Sequence, residues 1–266
     1  MNDNLLEVKD LNCRFEIERN LFSKNKYLHV LKNNNFKLKQ GSTLGIVGES
    51  GCGKSTLCRT ILSLNSKETG SIIWFNRNID EFSKKEFKKF RKKVQIIFQD
   101  PYGSLNPRMT IGNIISEPLE IYKKDNDKKL KNLKVLDIME KVGLSDLLFN
   151  RFPHELSGGQ CQRVGIARSI INEPDVLICD EPVSSLDLSV QSQILDLLRS
   201  LKNTLNITML FVSHDLAVVK SISDEVMVLK QGEIVEKSSA EEVFNNPKDE
   251  YTKKLISSVP RINNIG

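Results

Sequence analysis

The sequence predicts an α/β fold with a mainly parallel sheet, an antiparallel β edge and an inserted helical segment. Three short apolar runs, at residues 44–47, 176–179 and 207–212, have the composition of strands that are buried on both faces, as parallel sheets require. Helical spacing lies between these runs, and such alternation of strand and helix is typical of an α/β core. The 266 residues, of which 39% are hydrophobic and 27% charged, are sufficient for one large globular domain.

The antiparallel part is predicted at the beginning of the chain. Residues 5–11 and 14–17 alternate apolar and polar side chains, as two short edge strands would. The polar segment 18–26 is expected to form a loop or hairpin tip, and residues 36–39 alternate again before the turn at Gly41. These segments therefore add β structure ahead of the first buried strand.

The middle of the chain is predicted to be helical. Residues 55–64 and 190–201 carry helical spacing, and residues 111–171 show helical patterns with no obvious strand. We therefore expect one domain at residues 5–257, followed by a short tail at residues 258–266. Within that domain, the core is predicted at about 5–98 and 172–246 and the helical insert at about 99–171.

Composition excludes several classes of protein. The five cysteines are an odd number and contain no CxxC pair, and only three histidines are present, so a zinc cluster or disulfide framework is not expected. No apolar run reaches the ~18 residues that a membrane span needs, and the first ten residues lack a signal-peptide pattern. The formal charge of +5 permits anionic ligands or contact near a membrane surface and identifies neither. Because no disulfide framework is expected, we expect the cysteines to be reduced thiols in a cytosolic compartment.

Residues 83–93 are strongly basic, with seven Lys or Arg among eleven residues and with Phe87 and Phe90 between them. One interpretation is a patch that binds nucleic acid. The other is an exposed helix that buries the two phenylalanines as an apolar stripe. We favour the second, because affinity for phosphates requires a basic surface larger than one helix.

Residues 48–55 match the phosphate-loop pattern G-x-x-x-x-G-K-[ST] at every position, between a predicted strand and a predicted helix. Glycines let backbone N–H groups approach phosphate oxygens, and the helix N-terminus attracts the same anion. In this pattern Lys54 reaches the β- and γ-phosphates and Ser55 coordinates Mg²⁺. The residues predicted to bind the nucleotide are Gly48, Glu49, Ser50, Gly51, Cys52, Gly53, Lys54, Ser55 and Thr56.

Cys52 lies within this loop, next to a predicted helix N-terminus and close to Lys54. Both features favour a thiolate, so the sequence predicts a lowered pKa for the Cys52 thiol.

Two carboxylates, Asp180 and Glu181, follow the apolar run at residues 176–179. The carboxyl end of a buried strand brings such groups to the edge of the sheet where ligands bind. We expect Asp180 to hold Mg²⁺ and Glu181 to polarise the water that attacks the γ-phosphorus. An acidic residue after a strand is also a common helix cap, but the phosphate loop in the same chain favours the catalytic interpretation.

The segment Leu156-Ser157-Gly158-Gly159-Gln160 is the most specific short string in the sequence, expected by chance in roughly one chain of a few thousand. With it, the chain resembles the ATP-binding subunits of ATP-binding-cassette (ABC) transporters, from about residue 5 to residue 260. The resemblance implies that Gln99 is the Q-loop glutamine, which ligates Mg²⁺ or water. It also implies that Asp187 belongs to the D-loop and that His214 is the switch histidine rather than an ordinary histidine at a strand end.

The resemblance further implies a head-to-tail pair of ATPase subunits. Each ATP would lie between residues 48–55 of one chain and Ser157, Gly158, Gly159 and Gln160 of the other. These four residues precede a predicted helix, whose N-terminus offers donors to an anion. The adenine ring is expected to stack on Phe15, with Tyr27 as the alternative.

Residues 98–108 and 151–163 resemble the dipeptide, oligopeptide and nickel importer group of this family. This resemblance implies an ATP-hydrolysing subunit, peripheral on the cytoplasmic face of the cell membrane, that energises uptake of di- and oligopeptides. Its expected partners are two integral-membrane permeases, a second ATPase (a paralogue or another copy of this chain) and, indirectly, an external solute-binding protein, but no nucleic acid. The alternatives are uptake of nickel or another small solute, or a soluble ATPase acting on nucleic acid or ribosomes. The group usually continues beyond residue 260 with a cysteine-bearing tail, which this chain does not show up to Gly266.

Overall fold

A computed structural model describes residues 3–18, 26–122 and 127–258 of the chain. Nearly all of the loop predicted at residues 18–26 lies outside the described residues. The strands are β1 (Asn4–Glu18), β2 (Lys26–Lys39), β3 (Thr43–Val47), β4 (Thr69–Trp74), β5 (Arg77–Asn78), β6 (Val94–Ile97), β7 (Val176–Asp180), β8 (Thr208–Val212), β9 (Glu225–Lys230) and β10 (Glu233–Ser239). The helices are α1 (Lys54–Ile61), α2 (Lys84–Lys93), α3 (Ile111–Tyr122), α4 (Lys128–Lys141), α5 (Gly158–Ile170), α6 (Leu188–Leu205), α7 (Leu216–Ile222), α8 (Ala240–Asn245) and α9 (Glu250–Ser257).

The chain folds as two compact units. The first unit lies within Met1–Phe82 and Leu210–Gly266, and the second lies within Ser83–Met209. The first therefore contains β1 to β5, α1 and the elements from α7 onward, while the second contains α2 to α6 with β6 and β7. The division into a core and a helical insert at residues 99–171 stays a prediction.

The first unit contains an antiparallel sheet with the strand order β2-β1-β4-β5. Val8 of β1 lies opposite Phe36 of β2 on one side and opposite Ile72 of β4 on the other. The prediction of two short edge strands was therefore wrong, because one long strand runs through the interior of this sheet. Register shifts between Val8 and Leu11, with a φ of +49° at Asp10, interrupt the alternation without ending the strand.

The first unit also contains the strand that leads to the phosphate loop. β3 pairs in parallel with β9, which in turn pairs antiparallel with β10. All five residues of β3 are buried, as predicted for a strand covered on both faces. The carboxyl end of β3 leads through residues 48–53 into α1, so that the predicted strand–loop–helix order is confirmed.

The second unit combines a parallel strand pair with helices. β6 and β7 pair in parallel, and all five residues of β7 are buried, as predicted. The described part of residues 111–171 contains α3, α4, α5 and short 3₁₀ turns but no strand, which agrees with the helical prediction. The basic segment forms α2, in which Phe90 is buried and Phe87 is half-buried, as expected for an exposed amphipathic helix.

Two further observations concern the cysteines and the length of the helices. All five cysteine side chains are buried. Across the described ranges, every helix is too short or too polar to cross a lipid bilayer.

Candidate nucleotide site

The phosphate loop begins at a glycine that no other residue can replace without moving the backbone. Gly48 has a φ of +153°, and a Cβ atom there would stand 2.1 Å from the carbonyl oxygen of Leu229. The loop ends at Gly53, which has a φ of +110° and precedes the first residue of α1. Because Gly53 has no side chain to bond the first N–H groups of α1, that helix end is suited to an anion.

Lys54 points back along the loop that it follows. Its side chain is buried, with 5% of the residue exposed. Its Nζ atom donates hydrogen bonds to the carbonyl oxygens of Gly48 and Glu49, at 2.7 and 2.9 Å. The structure therefore brings the predicted phosphate-binding lysine and the first residues of the loop into direct contact.

Cys52 does not have the lowered pKa that the sequence led us to expect. The residue is only 7% exposed, and this burial raises the pKa of the Cys52 thiol, although the nearby Lys54 ammonium acts in the opposite direction. That prediction was wrong because removal from water penalises the thiolate more than the lysine favours it.

In the second unit, the structure brings together two residues that were predicted separately. Asp180 is the last residue of β7 and is buried, and Glu181 follows it with a φ of +50°. Gln99 follows β6, which runs parallel to β7, so both residues lie at the same end of this strand pair. The Nε2 atom of Gln99 donates a hydrogen bond to Oε2 of Glu181 at 3.1 Å.

The segment at residues 156–160 forms the N-terminus of α5. The Oγ atom of Ser157 accepts a hydrogen bond from the backbone N–H of Gln160 at 3.3 Å, and Oε1 of Gln160 accepts one from the backbone N–H of Ser157 at 3.0 Å. This reciprocal pair is a capping box, which gives the two residues a structural role in addition to the predicted one. At Gly159, a Cβ atom would lie 2.6 Å from Val190 of α6, so glycine is required where the two helices meet.

Two residues that were not predicted connect the segment after Gln99 to the region around α5. The Tyr102 hydroxyl donates a hydrogen bond to the carbonyl oxygen of Leu156 at 2.9 Å. Nη1 of Arg168, a residue of α5, donates one to the carbonyl oxygen of Ser104 at 2.7 Å. Both acceptors are backbone atoms far away in the sequence, so no local pattern could have indicated these contacts.

Asp187 is the N-cap of α6, and His214 immediately precedes Asp215, the N-cap of α7. Asp187 caps α6, because its Oδ1 atom accepts hydrogen bonds from the Val190 N–H and the Ser189 hydroxyl, at 2.9 and 2.7 Å. The same two bonds hold the pKa of the Asp187 carboxyl below its usual range. His214 is exposed in the first unit, between β8 and α7.

The two candidates for stacking on adenine lie on paired strands of the first unit. Phe15 of β1 is 39% exposed and Tyr27 of β2 is 50% exposed. The guanidinium of Arg14 already covers the Tyr27 ring, 4.6 Å from its centroid. Phe15 therefore stays the preferred candidate.

A glycine-rich loop between a buried parallel strand and a helix defines the class of phosphate-loop nucleotide-binding proteins. Residues 31–184, more than half of the chain, match the family model described as "ABC transporter". The chain belongs to the ABC transporter family.

Curated relatives and solved structures agree with this assignment. The oligopeptide transport ATP-binding protein OppF of Haemophilus influenzae is 51% identical over 96% of this chain and 78% of its own length. The dipeptide transport ATP-binding protein DppF of the same organism is 44% identical over 98% of this chain and 80% of its own length. The solved structure of cbiO1 from Clostridium perfringens, part of the transporter complex cbiONQ, has a TM-score of 0.78 and 31% identity and covers 98% of both chains. The ATP-binding cassette MJ0796, in a dimeric post-hydrolysis state bound to ADP and Pi, has a TM-score of 0.79 and 27% identity and covers 88% of this chain and 98% of its own.

Proposed function

We propose that this chain is the ATP-binding and ATP-hydrolysing subunit of an ABC importer that takes up di- and oligopeptides. The observation that carries the proposal is the 51% identity, over 96% of the chain, to a protein named for ATP binding in oligopeptide transport. A second relative, named for dipeptide transport, matches to a similar extent. The phosphate loop and the acidic strand end supply the residues that such an activity needs.

In the first unit, the phosphate loop would bind the triphosphate of ATP. Backbone N–H groups of residues 50–56 and the N-terminus of α1 would receive the phosphate oxygens. Lys54 has three N–H donors, so it would keep its hydrogen bond to the Gly48 carbonyl and turn the others to the β- and γ-phosphates. Phe15 would stack on the adenine ring.

In the second unit, Glu181 would orient and polarise the attacking water. Its hydrogen bond to Gln99 supports this role, because the amide holds one carboxylate oxygen and thereby fixes the direction of the other. His214, in the first unit, would stabilise the charge that develops on the γ-phosphate. Asp187 would contact the nucleotide site of a paired subunit.

The residues proposed to hold Mg²⁺ suit this ion. The Ser55 hydroxyl, the Gln99 amide and the buried Asp180 carboxylate are all oxygen donors, which Mg²⁺ prefers. In the part of the chain that the structure describes, no group of three or more His, Cys, Asp or Glu side chains is placed to hold a metal ion. Such a cage is not required, because Mg²⁺ is usually bound through one or two protein groups together with phosphates and water. When bound, it would neutralise charge on the phosphates.

The proposed assembly contains two ATPase subunits, two integral-membrane permeases and, indirectly, an external solute-binding protein. The second ATPase would be a paralogue or another copy of this chain, and the chain would lie peripherally on the cytoplasmic face of the membrane. Ser157, Gly158, Gly159 and Gln160 would bind the ATP held by the phosphate loop of the paired subunit. Ser157 is exposed, which supports a role at an interface between subunits.

Reconstitution tests the proposed solute. The chain is assembled in proteoliposomes with its two permeases, the second ATPase and the solute-binding protein, and Mg-ATPase activity is measured with and without peptide. We expect short peptides to stimulate hydrolysis and to enter the vesicles, and a matched Lys54→Ala assembly to show neither. Stimulation by nickel or another small solute in place of peptides would favour that alternative.

Co-purification separates a transporter subunit from an ATPase that acts on nucleic acid or ribosomes. The tagged chain is isolated from gently solubilised membranes, and the bound material is analysed for protein and nucleic acid. Recovery of two integral-membrane proteins supports the proposal. Recovery of nucleic acid or ribosomes without membrane proteins would contradict it.

A further inference from the structure

The C-terminal helix α9 contacts the phosphate loop through one tyrosine. Tyr251 lies in the first turn of α9 and belongs to the same unit as the loop. Its hydroxyl oxygen accepts a hydrogen bond from the backbone N–H of Glu49 at 3.1 Å, although the two residues are 202 positions apart in the chain. The residues matched by the family model end at position 184, so Tyr251 lies outside them.

This hydrogen bond acts on the same peptide group that holds Lys54. The carbonyl of Gly48 and the N–H of Glu49 belong to one planar peptide unit. Lys54 donates to the carbonyl oxygen at 2.7 Å, and Tyr251 accepts from the N–H on the opposite side. Rotation of this peptide plane would break both bonds, and each bond polarises the group that makes the other.

The tyrosine itself is held by the elements around it. The Asp249 carboxylate caps α9 and accepts a hydrogen bond from the Tyr251 N–H at 2.8 Å. Glu236, buried on β10, accepts hydrogen bonds from the N–H groups of Lys248 and Asp249 at 2.9 and 3.0 Å. The ammonium of Lys230 lies 5.0 Å from the centroid of the Tyr251 ring, within the range of a cation–π contact.

We propose that Tyr251 is a positioning residue for nucleotide binding: its hydroxyl fixes the Gly48–Glu49 peptide and thereby the place of the Lys54 ammonium. The inference rests on the proposed binding of ATP at the phosphate loop. It also assigns a role to the Glu49 N–H, which bonds the tyrosine rather than a phosphate. The end of the chain thus contributes to the geometry of a loop near its beginning.

The proposal predicts a loss of nucleotide affinity that depends on the number of phosphates in the nucleotide. Lys54 is expected to reach the β- and γ-phosphates, so ATP and ADP depend on its position and AMP does not. Tyr251→Phe removes the hydroxyl and keeps the ring. One net hydrogen bond corresponds to a ~3- to 10-fold change in affinity, and we expect this loss for ATP and ADP with AMP unchanged.

The experiment compares the parent chain, Tyr251→Phe and Tyr122→Phe, a matched control whose tyrosine lies in the second unit. Affinities for ATP, ADP and AMP are measured by calorimetry, and KM and kcat are measured in the assembled importer. We expect Tyr251→Phe to raise KM for ATP ~3- to 10-fold with kcat unchanged. The melting temperature of the nucleotide-free chain should fall by no more than the loss of one exposed hydrogen bond accounts for, and the control should match the parent throughout.

A second variant tests whether the hydrogen bonds that Glu236 accepts just before α9 act on nucleotide binding through Tyr251. Glu236→Gln exchanges a carboxylate that accepts two N–H groups for an amide with a single acceptor oxygen. We expect Glu236→Gln to lower the affinity for ATP and ADP but not for AMP. Adding Glu236→Gln to Tyr251→Phe should cause no further loss of affinity.

The outcomes separate this inference from the proposed function. If Tyr251→Phe binds ATP as tightly as the parent does, the positioning role is overturned. An equal loss of ATP and AMP affinity would also overturn it, because that result indicates a general loosening of the unit. If the parent chain itself does not bind ATP, the proposed function fails, and the inference fails with it.

Discussion

Glu181 combines an unusual backbone conformation with a defined side-chain contact. Its φ of +50° is in the left-handed region, which costs a residue other than glycine about 1–3 kcal/mol. Such strain persists where the surrounding structure enforces it, and it is concentrated at functional sites. The Gln99 hydrogen bond then holds the carboxylate in one orientation.

Replacement of this carboxylate tests its proposed role directly. Glu181→Gln should slow ATP hydrolysis ~10²- to 10⁴-fold, the range for loss of a general base. ATP binding should persist, because an amide oxygen can still accept the hydrogen bond from Gln99. Hydrolysis and nucleotide affinity are measured on the same preparation. Glu173→Gln is the matched control, since Glu173 also has a positive φ of +51°, and it should hydrolyse ATP at the parent rate. Parent-rate hydrolysis by Glu181→Gln would refute the role.

The raised pKa of the Cys52 thiol predicts slow alkylation near neutral pH. Because less thiolate is present, the rate should continue to rise as the pH passes the ordinary thiol pKa of about 8.5. Labelling with iodoacetamide, read by mass spectrometry from pH 7 to 10, measures this profile. Cys52 should still react before the fully buried Cys179, and MgATP should protect it. A plateau below pH 8 would contradict the raised pKa.

At this scale, the sequence indicates the candidate residues better than it indicates their surroundings. The phosphate loop and Asp180–Glu181 are short continuous patterns, so they could be found from the sequence alone. The hydrogen bond of Tyr251 to the loop depends on the packing of α9, which no local pattern encodes. The error at Cys52 has the same origin, because burial depends on residues that are distant in sequence.

Among the helices, α5 depends on a capping box that can be tested independently of any nucleotide. Ser157→Ala removes the oxygen that accepts the Gln160 N–H, and it should cost about 1 kcal/mol in the free energy of unfolding. Ser157→Thr keeps a hydroxyl and should remain close to the parent. Urea unfolding of the nucleotide-free chain measures both variants. Equal stability of the parent and Ser157→Ala would show that the cap contributes nothing.

The stability contributed by the hydrogen bonds between Glu236 of β10 and the residues just before α9 should depend on pH. Burial raises the pKa of the Glu236 carboxyl, but the backbone N–H groups of Lys248 and Asp249 prevail and lower it overall. A lowered folded-state pKa gives stability that is present above the unfolded value of about 4.3 and is lost as the pH falls through the folded value.

The melting temperature of Glu236→Gln should therefore lie below that of the parent at pH 7, and the difference should shrink as the pH falls below about 4. Glu233→Gln is the control, because Glu233 lies on the same strand and its ion pair with Lys32 is exposed. If the difference in melting temperature between Glu236→Gln and the parent does not change with pH, the lowered pKa of the Glu236 carboxyl is contradicted.

At the level of elements, continuous patterns were reliable and interrupted ones were not. The sequence predicts β3, β7 and the centre of α6, because each is an unbroken apolar or helical pattern. β1 was divided in the prediction, because its irregular register hides the alternation. The short helix α9 begins after its capping residue Asp249, and Glu236 of β10 accepts a hydrogen bond from the Asp249 N–H. The contact with Glu236 joins two elements, so a local pattern does not reveal it.

At the scale of the whole molecule, the proposed head-to-tail pairing predicts that ATP binding by one subunit can be retained while ATP-driven dimerisation is lost. Ser157→Arg places bulk and positive charge where the ATP of the paired subunit would dock. We expect unchanged ATP binding by the monomer and loss of ATP-driven dimers, measured by sedimentation in a Glu181→Gln background that retains ATP. Ser157→Ala loses the hydroxyl that caps α5 and would contact the ATP of the paired subunit, but it adds neither bulk nor charge, so it should weaken the dimer less than Ser157→Arg does. A fall in the ATP affinity of the monomer would contradict the proposed arrangement.

The burial of every cysteine makes the chain suitable for site-directed spectroscopy. Four of the five thiols are fully buried and Cys52 is 7% exposed, so the unmodified chain should give a low background with a spin label. A single substitution at an exposed site, such as Leu188→Cys at a position that is 80% exposed, would then carry the only rapidly reacting thiol. Electron-spin distances between two such chains could follow their association through a cycle of hydrolysis, with every natural thiol retained.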